Sequence, residues 1–232
     1  NIPFVNKLCQ NFLDYHVVIY ENDSKDKTKR LLSEWQSTNP AHVHIFMDDF
    51  GKSTIPKASE VSCNPFFSLA RNEKMSGFRN NYLDYVEKQD WNPDYLMVID
   101  LDVSWIDYNG VLSSFNTEAD WDAITAFGYS RTPSLKIRYH DVYILVEKGE
   151  EFIAQTEESI MNKALKFAKY RSTNELIPVF SAFGGLAIYK YEKVRGLRYK
   201  AIPNDDSRVE SRGEHFSLYW QMSEKGPVYV YI

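Results

Sequence analysis

The sequence predicts an α/β protein with a mixed, mostly parallel sheet flanked by helices, and three observations support that class. The first is a short apolar run, Tyr95, Leu96, Met97, Val98 and Ile99, that leads into Asp100, Leu101 and Asp102. It is too short to span a membrane and carries no helical stripe, so it reads as a strand buried on both faces, as in the middle of a parallel sheet. The second is the strand pattern of residues 15–20, followed by an acidic turn-forming loop over residues 21–28 and a helix to about residue 36. That is one βα unit, with its loop at the carboxyl edge of the sheet, where open α/β sheets bind ligands. The third is the alternation of strand and helix patterns along 232 residues with no clear linker, no internal repeat and no low-complexity segment. One domain is expected.

Taken in order, residues 2–13 place Ile2, Val5, Leu8, Phe12 and Leu13 at the spacing of a short amphipathic helix, and Pro3 suits its first turn. After the first βα unit, whose helix Asp26 or Ser24 can cap, residues 43–47 form a second strand. Residues 48–65 are irregular, with Gly51, Pro56 and Pro65, and loops of that length are often functional. A helix over residues 68–88 then sets Arg71, Met75, Arg79 and Leu83 on one face at intervals of four.

Beyond the Asp100–Asp102 strand, residues 123–127 form another strand that ends at Gly128, and residues 136–146 are extended. Residues 153–170 form a charged amphipathic helix. Two apolar segments flank Gly184 and Gly185, where the backbone can approach a ligand or another strand closely. A polar loop with Asp205 and Asp206 precedes a helix that opens on Glu214 and His215, and residues 227–232 close the chain as a strand.

Composition narrows the function. A net charge of −5 argues against general nucleic-acid binding. The two cysteines have no metal-ligand spacing and do not make a disulfide scaffold. No stretch is long and apolar enough to cross a membrane. The chain opens on Asn1 without a signal peptide, as expected of a fragment or a processed chain. Trp105, Tyr129, Tyr143 and Trp220 are read as packing residues rather than as a platform for sugars.

Chemistry concentrates at the strand end. Side chains on a strand alternate, so Asp100 and Asp102 are expected to point the same way. Two hard oxygen donors there suit Mg²⁺ or Mn²⁺, with waters and phosphate completing the shell. Sixteen aspartates in the chain make about one Asp-x-Asp expected by chance. A second copy, Asp120 and Asp122, lacks the leading buried strand and is read as solvated carboxylates. Arginine forks suit phosphate oxygens, which points Arg71 and Arg79 at an anionic ligand.

The order of strand, Glu-x-Asp loop, helix, paired arginines, strand and Asp-x-Asp resembles the nucleotide-sugar-dependent glycosyltransferases of the GT-A (Rossmann-like) fold. More narrowly, it is similar to the group that contains fungal capsule-associated mannosyltransferases and the capsid-glycan glycosyltransferases of large DNA viruses. The matching residues are 18–24, Arg79 with Asn80, 98–102, 183–189 and 214–216. The resemblance implies that Glu21 and Asp23 line the nucleotide pocket, with Arg71, Arg79 and Asn80 on the donor side. Asp100 would hold both metal and donor ribose, and Asp102 and His215 the metal; Gly184 and Gly185 would lie by a sugar. The implied base candidates, in order, are Glu214, Asp205 or Asp206, and Asp141. It further implies Mn²⁺ or Mg²⁺ as cofactor, a UDP-sugar as the favoured donor and a glycan or glycoprotein acceptor. Relatives carry a strand before the first helix, so one is expected upstream of residue 1, and they often have Cys where this chain has Gly213. A metal-dependent nucleotidyltransferase or phosphohydrolase, or a non-catalytic sugar-binding module on the same fold, remains the alternative.

Overall fold

The computed structural model describes residues 1–132, 134–173 and 175–232. Helix α1 (Ile2–Cys9) starts with its proline in the first turn and buries Val5, Leu8 and Cys9. Strand β1 (Val17–Asn22), helix α2 (Thr28–Thr38) and strand β2 (Val43–Asp48) follow as expected. β1 and β2 pair in parallel from Val17↔Val43 to Asn22↔Asp48. One face of the pair packs on Leu32 and Trp35 of α2 and on Val5 and Cys9 of α1. The other face meets α3 (Leu69–Glu87), where Phe78 stacks on Tyr20 and Tyr85 packs against Phe46 at a tilt. Ser68 caps α3 by accepting from the Arg71 N–H, which supplies one of the orphan donors of a helix start.

Strand β3 (Tyr95–Ile99), helix α4 (Tyr108–Ser114) and strand β4 (Ala123–Thr125) come next, then a hairpin of β5 (Tyr129–Arg131) and β6 (Ile137–Tyr139). Helix α5 (Glu157–Ala168) is held by a capping box between Thr156 and Ser159. The remainder is β7 (Pro178–Val179), β8 (Leu186–Lys190), α6 (Tyr191–Val194), β9 (Ile202–Pro203), β10 (Ser211–Arg212), α7 (Phe216–Glu224) and β11 (Val230–Tyr231).

The class is mixed α/β, but the sheet differs from the expectation. The main sheet has the order β3-β8-β4-β11-β7. Only β4 and β11 are parallel in it; β3/β8, β4/β8 and β7/β11 are antiparallel. Strand β8, arriving almost ninety residues after β3, fills the gap between β3 and β4 in the opposite sense. Local strand–helix alternation cannot reveal which later strand takes that place.

β8 is also buried on both faces. Ala187 and Tyr189 enter one apolar cluster with Phe167, Val194 and Tyr219, while Leu186 and Ile188 enter another with Leu8, Val111 and Trp121. β3 lies at the sheet edge with Val98 alone fully buried, so the central role read into it belongs to β8.

Two glycines fix how β8 starts. Gly184 has φ +63°, and a Cβ there would come within 2.1 Å of the Ala126 carbonyl oxygen. Gly185 has φ +92°, and its own carbonyl accepts from the Asp100 N–H at 3.0 Å. Close backbone approach requires glycine at 184, and the left-handed φ favours it at 185. Gly77, by contrast, sits in α3 with open space around the Cβ position. Gly184→Ala should therefore cost about 2 kcal/mol or more. Gly77→Ala should add roughly 0.5–1 kcal/mol through helix propensity. Urea unfolding midpoints of the two variants against wild type check this opposite pair of signs.

Candidate active site

A cleft of about 650 Å³ opens beyond the carboxyl end of β3, within the size range of small-molecule sites. Arg71, Met75 and Arg79 line it from α3, Asp100 and Asp102 from the turn after β3, and Arg138 and Tyr139 from β6. His140, Asp141 and Tyr143 follow β6, Phe183 precedes β8, and Glu214 and His215 precede α7. Seven residues singled out from sequence thus share one wall: Arg71, Arg79, Asp100, Asp102, Asp141, Glu214 and His215. The four-residue interval on α3 works as expected, with Leu83 continuing the face into the core.

Arg79 is buried and central. Its Nε donates to Glu214 Oε1 at 2.8 Å and its Nη2 to Asp100 Oδ1 at 3.3 Å. The guanidinium also lies 5.3 Å from the Phe183 ring centre and 5.8 Å from that of Tyr199. Burial opposes its charge, but the Glu214, Tyr82 and Asp100 oxygens outweigh that and hold its pKa well above the ordinary value. Arg71 donates Nη1 to the Phe66 carbonyl at 3.3 Å, while its buried Nε has no partner among the described residues.

The carboxylates outnumber what these cations engage. Burial raises the Asp100 carboxyl, Asp102 and Glu214 push further in that direction, and Arg79 offsets part of it. Asp141 stands at φ +60°, and no side-chain hydrogen bond reaches it among the described residues. Burial first, then the Glu214 and Asp100 charges, raise its pKa well above the usual carboxylate range.

Strand β3 stops at Ile99, so Asp102 lies in a turn rather than at a strand position. The alternation argument does not apply to it, although it lines the same cleft as Asp100. The Asn1 side chain supports that turn, donating to the Leu101 and Val103 carbonyls at 2.9 and 2.7 Å.

His215 is 1% exposed and stacked flat on Phe183 at 3.7 Å. Burial, then Arg79, hold its pKa far below 6.5, so the imidazole is neutral. Neither ring nitrogen has a hydrogen-bond partner among the described residues, and Nε2 lies 3.9 Å from Glu214 Oε1. Asp100, Asp102 and His215 do not form a trio with ligand atoms within 4.8 Å of one another; among the described residues that closeness belongs to Asp14, His16 and His42.

Other expected site residues lie elsewhere. Glu21 accepts from the Ser24 N–H at 2.9 Å and Asp23 from the Gly51 N–H at 2.7 Å. Both sit at the carboxyl ends of β1 and its loop, outside the cleft lining. The Asn22 side-chain bond, then the Gly51 bond, lower the Asp23 pKa. Asn80 is spent on the Tyr199 backbone, donating to its carbonyl at 3.0 Å and accepting from its N–H at 2.8 Å. Asp206 caps its own turn by accepting from the Arg208 and Val209 N–H groups, and neither it nor exposed Asp205 lines the cleft. Gly184 and Gly185 stand at the start of β8, outside the cleft lining. Asp122 is not solvated: it is 3% exposed, accepts from the Tyr229 N–H at 2.9 Å and pairs with Lys193 at 3.0 Å. Trp105 is 68% exposed rather than packed, whereas Tyr143 is buried.

Sequence reasoning passed over Arg138, whose Nε donates to Ser130 at 3.0 Å on the cleft wall. A lone arginine in an extended segment carries no periodic signal.

Fold and site together define a mixed α/β domain with an acid-rich cleft pinned by arginine. The profile of one family, described as Cryptococcal mannosyltransferase 1, matches residues 5–219. The chain belongs to this mannosyltransferase family, a family of glycosyltransferases. No curated protein and no solved structure matches it.

The raised Asp141 carboxyl has a consequence for stability. The native state keeps that proton to a pH at which the unfolded chain has lost it, so stability falls as pH climbs from the ordinary carboxylate range towards the raised native pKa. Asn tolerates the left-handed backbone and removes the charge. In EDTA, Asp141→Asn should melt above wild type near neutral pH, with the gap closing towards about pH 4. Equal melting temperatures throughout would contradict the placement of Asp141.

Proposed function

We propose that the chain is a metal-dependent glycosyltransferase of the GT-A type. It moves a hexose from a nucleoside-diphosphate sugar, UDP-linked in the favoured reading, to a hydroxyl of a glycan. The observation that carries this reading is the meeting of two arginines, four carboxylates and a neutral histidine from four separated segments in one cleft.

The donor set suits a divalent cation. Asp100 and Asp102 are hard oxygen ligands, burial first and then the Asp102 and Glu214 charges raise the Asp100 carboxyl, and His215 presents a neutral ring whose nitrogens have no partner among the described residues. Asp100 and Asp102 would hold Mn²⁺ or Mg²⁺, with His215 facing the same space. Such an ion supplies Lewis-acid charge beside the phosphate oxygens.

The chain's own residues account for the rest. Arg71, whose Nε has no partner among the described residues, binds phosphate oxygens as a fork. Arg79 adds fixed positive charge, oriented by Glu214. The acceptor hydroxyl attacks the anomeric carbon, the bond from that carbon to the phosphate oxygen breaks, and the nucleoside diphosphate departs. Asp141 takes the hydroxyl proton: it faces the cleft, and no side-chain hydrogen bond commits it elsewhere among the described residues. Glu214 is already committed to Arg79, and Asp205 and Asp206 lie off the cleft.

Mass spectrometry of reactions with UDP- and GDP-linked hexoses, a glycan acceptor and Mn²⁺ tests this. The expected products are a nucleoside diphosphate and a lengthened glycan. Asp141→Asn should lower kcat by about 10²-fold or more while donor affinity stays within about threefold. Release of phosphate or pyrophosphate instead would move the chain to the phosphohydrolases or nucleotidyltransferases.

A further inference from the structure

Three of the chain's five histidines meet away from the cleft. His16 and His42 directly precede β1 and β2, whose parallel register begins at Val17↔Val43, and the Val17 N–H donates to the His42 carbonyl at 2.7 Å. Equivalent positions on neighbouring parallel strands point the same way. His44 follows on the same face, with Val43 fully buried between them on the other. Glu21 and Asp23 lie at the opposite end of the pair, roughly 20 Å along the strands.

The rings are held in place. His16 Nδ1 is 3.3 Å from His44 Nε2, and His44 Nδ1 is 3.1 Å from the Tyr85 hydroxyl. Trp91 lies flat on His16, with centroids 3.7 Å apart and planes at 3°, and Tyr15 stacks on His42 at 4.6 Å. His42 Nδ1 donates to the Tyr15 carbonyl at 2.8 Å, the kind of backbone bond that orients a ligating ring. Asp14 adds a carboxylate, Oδ1 standing 3.8 Å from His42 Nδ1. The ligand atoms of Asp14, His16 and His42 all lie within 4.8 Å of one another.

We propose that Asp14, His16 and His42 bind a divalent first-row transition metal, Zn²⁺ above all, with His44 and Tyr15 orienting the two ligating rings. Two imidazoles and a carboxylate are a ligand set that Zn²⁺ takes, with water in the fourth position. The site would clamp the segment between α1 and β1 onto the start of β2. It is independent of the transferase reading.

Calorimetric titration of Zn²⁺ into the full chain, stripped beforehand with EDTA, tests the proposal. Wild type should bind one equivalent at this site, with melting raised on the order of 5 °C at about a hundred times Kd. Asp14→Asn, at an exposed position that leaves packing intact, should weaken binding about tenfold or more. The double variant His16→Ala/His42→Ala should abolish it, and Asp102→Asn should keep it. Absence of Zn²⁺ binding by folded wild type would overturn the proposal. So would binding that survives in the histidine variant and disappears in Asp102→Asn.

Discussion

The cleft depends on one buried cation. Arg79 leaves α3 and reaches both the end of β3 through Asp100 and the start of α7 through Glu214. Removing either the arginine or Glu214 would leave an uncompensated charge in the interior, a loss of about 3–5 kcal/mol for pairs of this kind. Phe183 and Tyr199 complete the surroundings of the guanidinium, and Phe183 also carries the stacked His215. Three elements that meet nowhere in sequence are thus brought into one register by a single side chain, and the cleft wall is what that register produces.

Around this cation the carboxylates repel one another. Asp100 and Asp141 both hold protons more tightly than ordinary aspartates, first through burial and then through their like-charged neighbours. Asp141 is presented from a left-handed turn, a backbone state that Asp tolerates better than most residues. Such a wall stores unfavourable charge in the absence of a ligand. On the proposed reading, a divalent cation and the arginine-bound diphosphate relieve it together, so donor and ion stabilise each other's binding.

Much of the site was legible because it rests on local period. Arg71, Met75 and Arg79 follow from four-residue spacing on α3, and Asp100 and Asp102 from an apolar run that ends in acid. Glu214 and His215 stand at a helix start, and all of these line the cleft. What escaped depends on partners remote in sequence. The direction of β8 between β3 and β4, the capture of Asn80 by the Tyr199 backbone and the carbonyl of Ala126 pressing on Gly184 are all set by tertiary contact. Asp206 was misplaced because a carboxylate that caps its own loop has the same sequence signature as one that faces a substrate. The histidine group arises from strand register, which joins residues 16 and 42 without any local motif.

On the proposed reading, Asp102 and Arg71 recognise opposite parts of one ligand, a divalent cation and a diphosphate. Isothermal titration of UDP and GDP into wild type, Asp102→Ala and Arg71→Ala, each with Mn²⁺ and with EDTA, tests it most directly. Wild type should bind one nucleotide only with Mn²⁺. That binding should be lost in Asp102→Ala and about tenfold or more weaker in Arg71→Ala. Nucleotide binding indifferent to Mn²⁺ and unchanged in both variants would contradict it.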